Sequence, residues 1–85
     1  MNVSQVQAIQ IATDQALNKY SFLSNSTILD NIAMAGLSLQ DRGNYILYPS
    51  WDIILPLAKP VGAVGEIQVL LWADTGQVYY IVGSP

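Results

Sequence analysis

EIQVLLWADTGQVYYIV, residues 66–82, is the stretch that decides the fold. Its two halves, 66–73 and 77–82, are rich in aliphatic and aromatic side chains, which is typical of β-strands. Between them, Asp74–Gly76 ends in a glycine that readily adopts the positive φ of a hairpin turn. The stretch therefore predicts a β-hairpin. Because a lone hairpin is only marginally stable in water, another part of the chain must cover it.

The N-terminal segment predicts a helix that provides this cover. Ser4 is a plausible N-cap, Gln7 completes a capping box, and Val3 is placed to pack against Ala8. The helix is expected to stop near 19–22, before a stretch rich in Ser and Asn. Intervals of three and four residues predict one apolar stripe, made of Val6, Ile9, Thr13, Ala16, Leu17 and Tyr20.

The middle of the chain has weaker patterns. A loose alternation over 31–39 favours a strand, although a short helical turn around 28–31 is also compatible with the sequence. Residues 41–44 have the composition of a turn. Clean alternation then predicts a strand over 50–57, with Pro49 marking an edge, a bulge or a break. The glycine-containing segment 59–65 predicts a flexible connection to the final hairpin.

These elements predict an α+β fold, with one N-terminal helix packed on an antiparallel sheet of three to four strands that ends in the hairpin. Alternation makes both faces of this hairpin apolar, and one short helix cannot easily cover both. The second face is therefore a candidate contact surface toward a neighbouring domain or another copy. Its predicted residues are Leu70, Trp72, Tyr79 and Ile81. Trp51, by contrast, alternates with aliphatic residues and is expected in the core.

Composition limits the classes of protein to consider. The 85 residues form one predicted domain, 1–85, and 52% of them are hydrophobic, well outside the range of disordered chains. Only 11% are charged, against about 25% in typical soluble domains, which favours a module of a larger protein or one that keeps a protein partner. Three scattered basic residues and a net charge of −3 argue against nucleic-acid binding. No stretch predicts a membrane-spanning segment.

Reactive side chains are sparse. The chain has no histidine and no cysteine, and its acids are dispersed, so we expect no metal site, no cofactor and no catalytic residues. Asp74-Thr75-Gly76 has the letters of an aspartic-protease triplet, but a hairpin turn explains all three residues. The prediction is that the protein is not an enzyme.

Helix, tryptophan strand and hairpin together resemble the PepSY domain. That family has a helix with S-x-x-x-A-I-x-x-A, a W-x-V-x-V strand and a hairpin with V-x-V-D-A-x-T-G-x-V. Asp74 and Trp72 depart from the family spacing, and residues 28–48 have no counterpart in the pattern. The matching positions are Ser4, Ala8, Ile9 and Ala12 in the helix and Ala73, Thr75, Gly76 and Val78 in the hairpin.

The resemblance implies a non-catalytic module of a secreted or cell-envelope protein, because PepSY domains occur in peptidase propeptides and envelope proteins. It also implies that the partner is a peptidase, which the module would inhibit or regulate. Two alternatives remain open from the residues: a structural module that self-associates as a homo-oligomer, and a domain that binds a small ligand between helix and sheet.

Overall fold

The structure, a computed structural model, describes residues 2–85. It is an α+β fold in which one helix packs on a four-stranded antiparallel sheet, and the predicted architecture is confirmed. The strands follow one another in space in the order β1-β2-β3-β4. The elements are helix α1 (Gln5–Lys19), a 3₁₀ turn (Asp30–Ile32), and strands β1 (Met34–Asp41), β2 (Leu47–Val61), β3 (Val64–Trp72) and β4 (Val78–Ser84).

Helix α1 begins at the predicted capping box. The Gln7 N–H donates to the Ser4 hydroxyl, and the Ser4 N–H donates to the Gln7 side-chain oxygen. The Tyr20 N–H still donates to Ala16, after which the chain leaves the helix. Both ends thus lie where the sequence places them.

The buried side of α1 includes every residue of the predicted stripe except Val6: Thr13 and Ala16 are buried, and Ile9, Leu17 and Tyr20 pack against the core. Three alanines spaced by four residues, Ala8, Ala12 and Ala16, are completely buried, whereas Val6 is 79% exposed. Val6 precedes Ala8 by two positions, about 200° around the helix, so the two cannot face the sheet together. Alanine side chains let the helix backbone approach the sheet closely, which explains why the smallest residues form the contact.

The core lies between α1 and the sheet, and α1 packs chiefly against β2, β3 and β4. Trp51 is buried as expected, and its indole N–H donates to the Val3 carbonyl at 2.9 Å. The Val3 N–H in turn donates to Ala73 at 2.9 Å. These bonds fix the start of the helix to the end of β3. The side chains at the centre of the core are Ile53, Leu55, Ile67, Val69 and Leu71.

The segment between β2 and β3 forms an ordered hairpin rather than the predicted flexible connection. Val61 pairs with Val64, so only Gly62 and Ala63 form the turn. Gly62 has a φ of 59°, a left-handed conformation that glycine adopts without steric cost. Because the turn is tight, residues on both sides stay in the strands.

β2 starts three residues earlier than predicted and contains three prolines, Pro49, Pro56 and Pro60. Pro49 faces the end of β3, beyond the last regular β2–β3 pair, so the ladder does not require an N–H from this residue. Its carbonyl accepts a hydrogen bond from the Ala73 N–H. Pro56 lies beyond the end of β1, accepts from the Leu29 N–H, and is followed by a shift of register with β3. Pro49 and Pro56 thus occupy places where the ladder is incomplete.

Among residues 2–85, no helix has both the length and the hydropathy needed to cross a membrane.

Candidate interaction surface

The sheet has one face away from α1, and we call it the open face. Along each strand, every second side chain points to the core side of the sheet, and the residues between them form the open face. Its central residues are Tyr48, Ser50, Asp52 and Ile54 of β2, Leu70 and Trp72 of β3, and Tyr79, Tyr80 and Val82 of β4.

A bulge in β4 decides which side chains reach the open face. Leu70 pairs with Tyr80 but Leu71 pairs with Val78, so Tyr79 is an extra residue. Tyr79 and Tyr80 consequently both lie on the open face and remain 38% and 48% exposed. Ile81 pairs with Val69 and packs against the core, so its predicted place beside Leu70 and Trp72 is wrong. Strict alternation over 77–82 could not reveal the bulge.

Trp72 lies on the open face as predicted, but its own chain covers most of it. Only 9% of its surface is exposed, and the ring of Tyr79 stacks on it at 4.3 Å between centroids. The Tyr79 hydroxyl lies 2.6 Å from the hydroxyl of buried Ser50, which fixes the tyrosine ring over the tryptophan. Trp72 therefore supports the open face, while Leu70, Tyr79 and Tyr80 offer more of their surface to a partner.

Arg42, in the β1–β2 turn, extends the aromatic stack. Its guanidinium carbon lies 3.9 Å from the ring centroid of Tyr48 and 4.2 Å from that of Trp72, distances at which a cation is attracted to an aromatic face. Its two terminal nitrogens donate to the two carboxylate oxygens of Asp74 at 3.0 and 2.7 Å. One arginine thus connects the β1–β2 turn to the β3–β4 turn.

This ion pair changes the protonation equilibria of both groups. The hydrogen bonds from Arg42, together with its charge, hold the pKa of Asp74 below its usual range. The same hydrogen bonds and the carboxylate charge raise the pKa of Arg42. The two side chains are 29% and 37% exposed, so water and salt weaken the attraction. The bidentate geometry therefore fixes the relative orientation of the two side chains more than it adds to the free energy of folding.

The sequence did not indicate the Arg42 cluster, formed by Arg42, Tyr48, Trp72, Tyr79 and Asp74. Its residues come from two turns and three strands, so no local pattern unites them. A weak signal exists in the topology, because alternate turns of an antiparallel meander lie at the same end of the sheet. Arg42 and Asp74 occupy two such turns.

We expect Asp74→Asn to lower stability at neutral pH and to have little effect in acid. The folded-state pKa of Asp74 is depressed, so its contribution is present above the unfolded pKa, about 3.9, and is lost as pH falls through the folded value. Chemical unfolding at pH 7 and pH 2.5 measures this. Asp30→Asn is the control, because Asp30 is exposed and lies outside the cluster. Equal effects of Asp74→Asn at both pH values would contradict the assignment.

A shallow cleft lies beside the start of α1, lined by the N-terminal segment and the helix rather than by strands of the sheet. It has a volume of about 300 Å³ and is lined by Asn2, Val3, Gln7, Gln10 and Ile11. The side-chain oxygen of Gln7 is already engaged in the capping box, and the amide of Gln10 donates to Asp14. The cleft therefore offers few polar groups to fix a small ligand.

Among residues 2–85, no three acidic side chains come together in a group that could hold a metal ion. Comparison with protein-family models, with curated proteins and with solved structures finds no match for this chain. The PepSY resemblance accordingly stays a prediction from the motifs.

Proposed function

We propose that this chain is a non-catalytic interaction module that binds a protein partner through the open face of its sheet. The observation that carries the proposal is that α1 covers one face only, while the other presents aromatic and aliphatic side chains to solvent. Tyr80, Tyr79 and half-buried Leu70 are neighbours there. Contiguous exposed apolar surface of this kind is typical of protein contact sites.

The Arg42 cluster supports the proposal by making the surface rigid. Tyr79 is fixed by stacking on Trp72 and by its hydrogen bond with Ser50, so its ring loses little conformational freedom when a partner binds. Tyrosine, tryptophan and arginine are also the residues that contribute most often to binding energy at protein interfaces. A pre-ordered aromatic surface lowers the entropic cost of association.

The PepSY resemblance suggests the kind of partner. On this basis the partner is a peptidase of the thermolysin type, or a neighbouring domain of the same chain, and the module acts outside the cytoplasm. Binding of the module would then restrain the peptidase.

The test measures hydrolysis of a small peptide substrate by a thermolysin-like peptidase as the module is added in increasing excess. We expect the rate to fall with the wild-type chain and with Tyr45→Ser, and to fall much less with Tyr80→Ser. Tyr45 is a matched control because it is 95% exposed but lies in the β1–β2 turn, outside the strands that form the open face. An unchanged rate at high excess would overturn the peptidase assignment, and equal inhibition by both variants would overturn the open face as the contact.

A further inference from the structure

Strand β1 is an unprotected edge of the sheet. It pairs only with β2, and the register is unbroken from Met34–Ile54 to Asp41–Leu47. Residues 34–40 include no charged residue and no proline. Proteins usually protect such an edge with a lysine, a proline, a bulge or a covering segment, because its free N–H and C=O groups can pair with another strand.

The opposite edge, β4, has two of these protections. The bulge at Tyr79 interrupts its regular ladder, and the ammonium group of Lys19 donates to the Ile81 carbonyl at 3.1 Å. The lysine therefore occupies a backbone acceptor that an incoming strand would need. Within one sheet, β4 is protected against pairing and β1 is not.

Pro49 shows which backbone groups of β1 face outward. The Pro49 carbonyl accepts from Ala73 on the β3 side, so Pro49 makes no ladder bond with Leu39, its partner in β1. Since bonded and non-bonded pairs alternate in an antiparallel ladder, Leu39, Leu37 and Ala35 direct their N–H and C=O groups to the free edge. These three residues form a row of outward N–H and C=O pairs at two-residue intervals.

The side chains of the same three residues point to the helix side of the sheet, where Ala35 packs against the core but the two leucines are poorly covered. Leu37 is 46% exposed and Leu39 is 61% exposed, although both continue the core face of β2. The outward backbone and the exposed leucines thus lie on one strip. A partner strand would form hydrogen bonds with the outward backbone groups and would cover the exposed leucine side chains.

We propose that the occupant of this edge is β1 of a second copy, paired antiparallel about a two-fold axis at Leu37. In this register Leu37 faces Leu37 of the other copy, and Ala35 faces Leu39. All three residues then exchange backbone hydrogen bonds, about six in total. The two four-stranded sheets become one continuous sheet, and the apolar strips of the two copies lie side by side.

The charges of β1 are compatible with self-pairing. Asp41 is its one charged residue, and the register places it opposite Ala33 of the other copy rather than opposite a second carboxylate. A strand with central charges would place like charges together across the two-fold axis. A strand with no charge over 34–40 is therefore better suited to its own copy than to a charged partner segment.

The chain has enough surface to form an interface of the area that a stable dimer requires. A stable interface buries about 800 Å² on each partner, roughly a sixth of this chain's surface of 5121 Å² (800/5121). The paired strand supplies part of this, and Leu47 adds apolar surface on the same side of the sheet, since it pairs with Asp41 at the end of β1 and is 56% exposed.

Disulfide capture tests the register directly, because the chain has no cysteine of its own. In the proposed dimer the Cα atoms of paired residues at position 37 are about 5.5 Å apart, which suits a disulfide. Leu37→Cys should therefore oxidise to a covalent dimer. Leu39→Cys is the control, since its two copies would be roughly 13 Å apart along the strands and should not cross-link. Cross-linking of both variants to the same extent, or of neither, would overturn the register.

Sedimentation velocity over a range of concentrations tests the interface without a cross-link. We expect wild type to shift from monomer to dimer with concentration and Leu37→Pro to remain monomeric. The proline removes an N–H that points away from β2, so the intrachain ladder is kept, and circular dichroism checks that the variant is folded. A wild-type chain that stays monomeric, or a Leu37→Pro variant that dimerises like wild type, would overturn the proposal. Tyr80→Ser should dimerise like wild type, so the β1 interface and the proposed open-face contact are tested independently.

Discussion

Leu55→Ala should lower the free energy of unfolding by about 2–5 kcal/mol, the range for truncation of a buried leucine. Leu55 has no exposed surface and lies at the centre of the core between α1 and the sheet. A domain of 85 residues has a total stability of roughly 4–13 kcal/mol, so this single change should remove a large part of it. Urea unfolding followed by circular dichroism measures the loss.

The matched control for this variant is Leu47→Ala. Leu47 is also a leucine of β2, but it is 56% exposed, and its truncation should change stability by no more than about 0.5 kcal/mol. Measurements at low protein concentration keep self-association out of the comparison. Similar losses for the two leucines would mean that the core does not lie where the structure puts it.

Ala12→Leu should destabilise the fold by about 1–3 kcal/mol, even though leucine is a good helix former. Ala12 is fully buried where α1 lies closest to the sheet, and a larger side chain must push the helix away or adopt a strained rotamer. The measurement is the midpoint of thermal or urea unfolding.

Gln15→Leu separates packing from helix propensity, because it introduces the same residue on the exposed side of the same helix. It should leave stability within about 0.5 kcal/mol of wild type. If Ala12→Leu were as stable as Gln15→Leu, close contact through the alanines would be excluded.

Features encoded by neighbouring residues could be predicted from the sequence. The hairpin over 66–82 needed only two strand-like halves and Gly76, which does adopt a positive φ of 78°. The start of the helix followed from Ser4 and Gln7 for the same reason. In each case the determining contacts are at most a few residues apart, so a local pattern contains the information.

Features that depend on distant contacts could not be predicted in this way. The predicted helix stripe wrongly included Val6 and left out Ala8 and Ala12, because periodicity favours large side chains whereas the close approach to the sheet selects alanine. Ile81 was assigned to the wrong face because the bulge at Tyr79 depends on pairing with β3. Arg42 acquires its aromatic neighbours only when two turns meet at one end of the sheet.

The two proposed contacts use different parts of one sheet and are compatible with each other. The open face contains Tyr79 and Tyr80 at the β4 side, whereas self-pairing uses the outer edge of β1, on the far side of β2 and β3. A dimer formed through β1 would present two open faces on one continuous sheet. Binding to a partner with two sites would then be strengthened by avidity.

Backbone amide exchange in β1 measures most directly whether the unpaired edge of this sheet acts as a contact surface. In a dimer, the amides of Ala35, Leu37 and Leu39 should be protected at high protein concentration and should lose protection on dilution. The amides of Gly36 and Ser38, which face β2, should stay protected throughout. Fast exchange at 35, 37 and 39 at every concentration would contradict pairing through this edge.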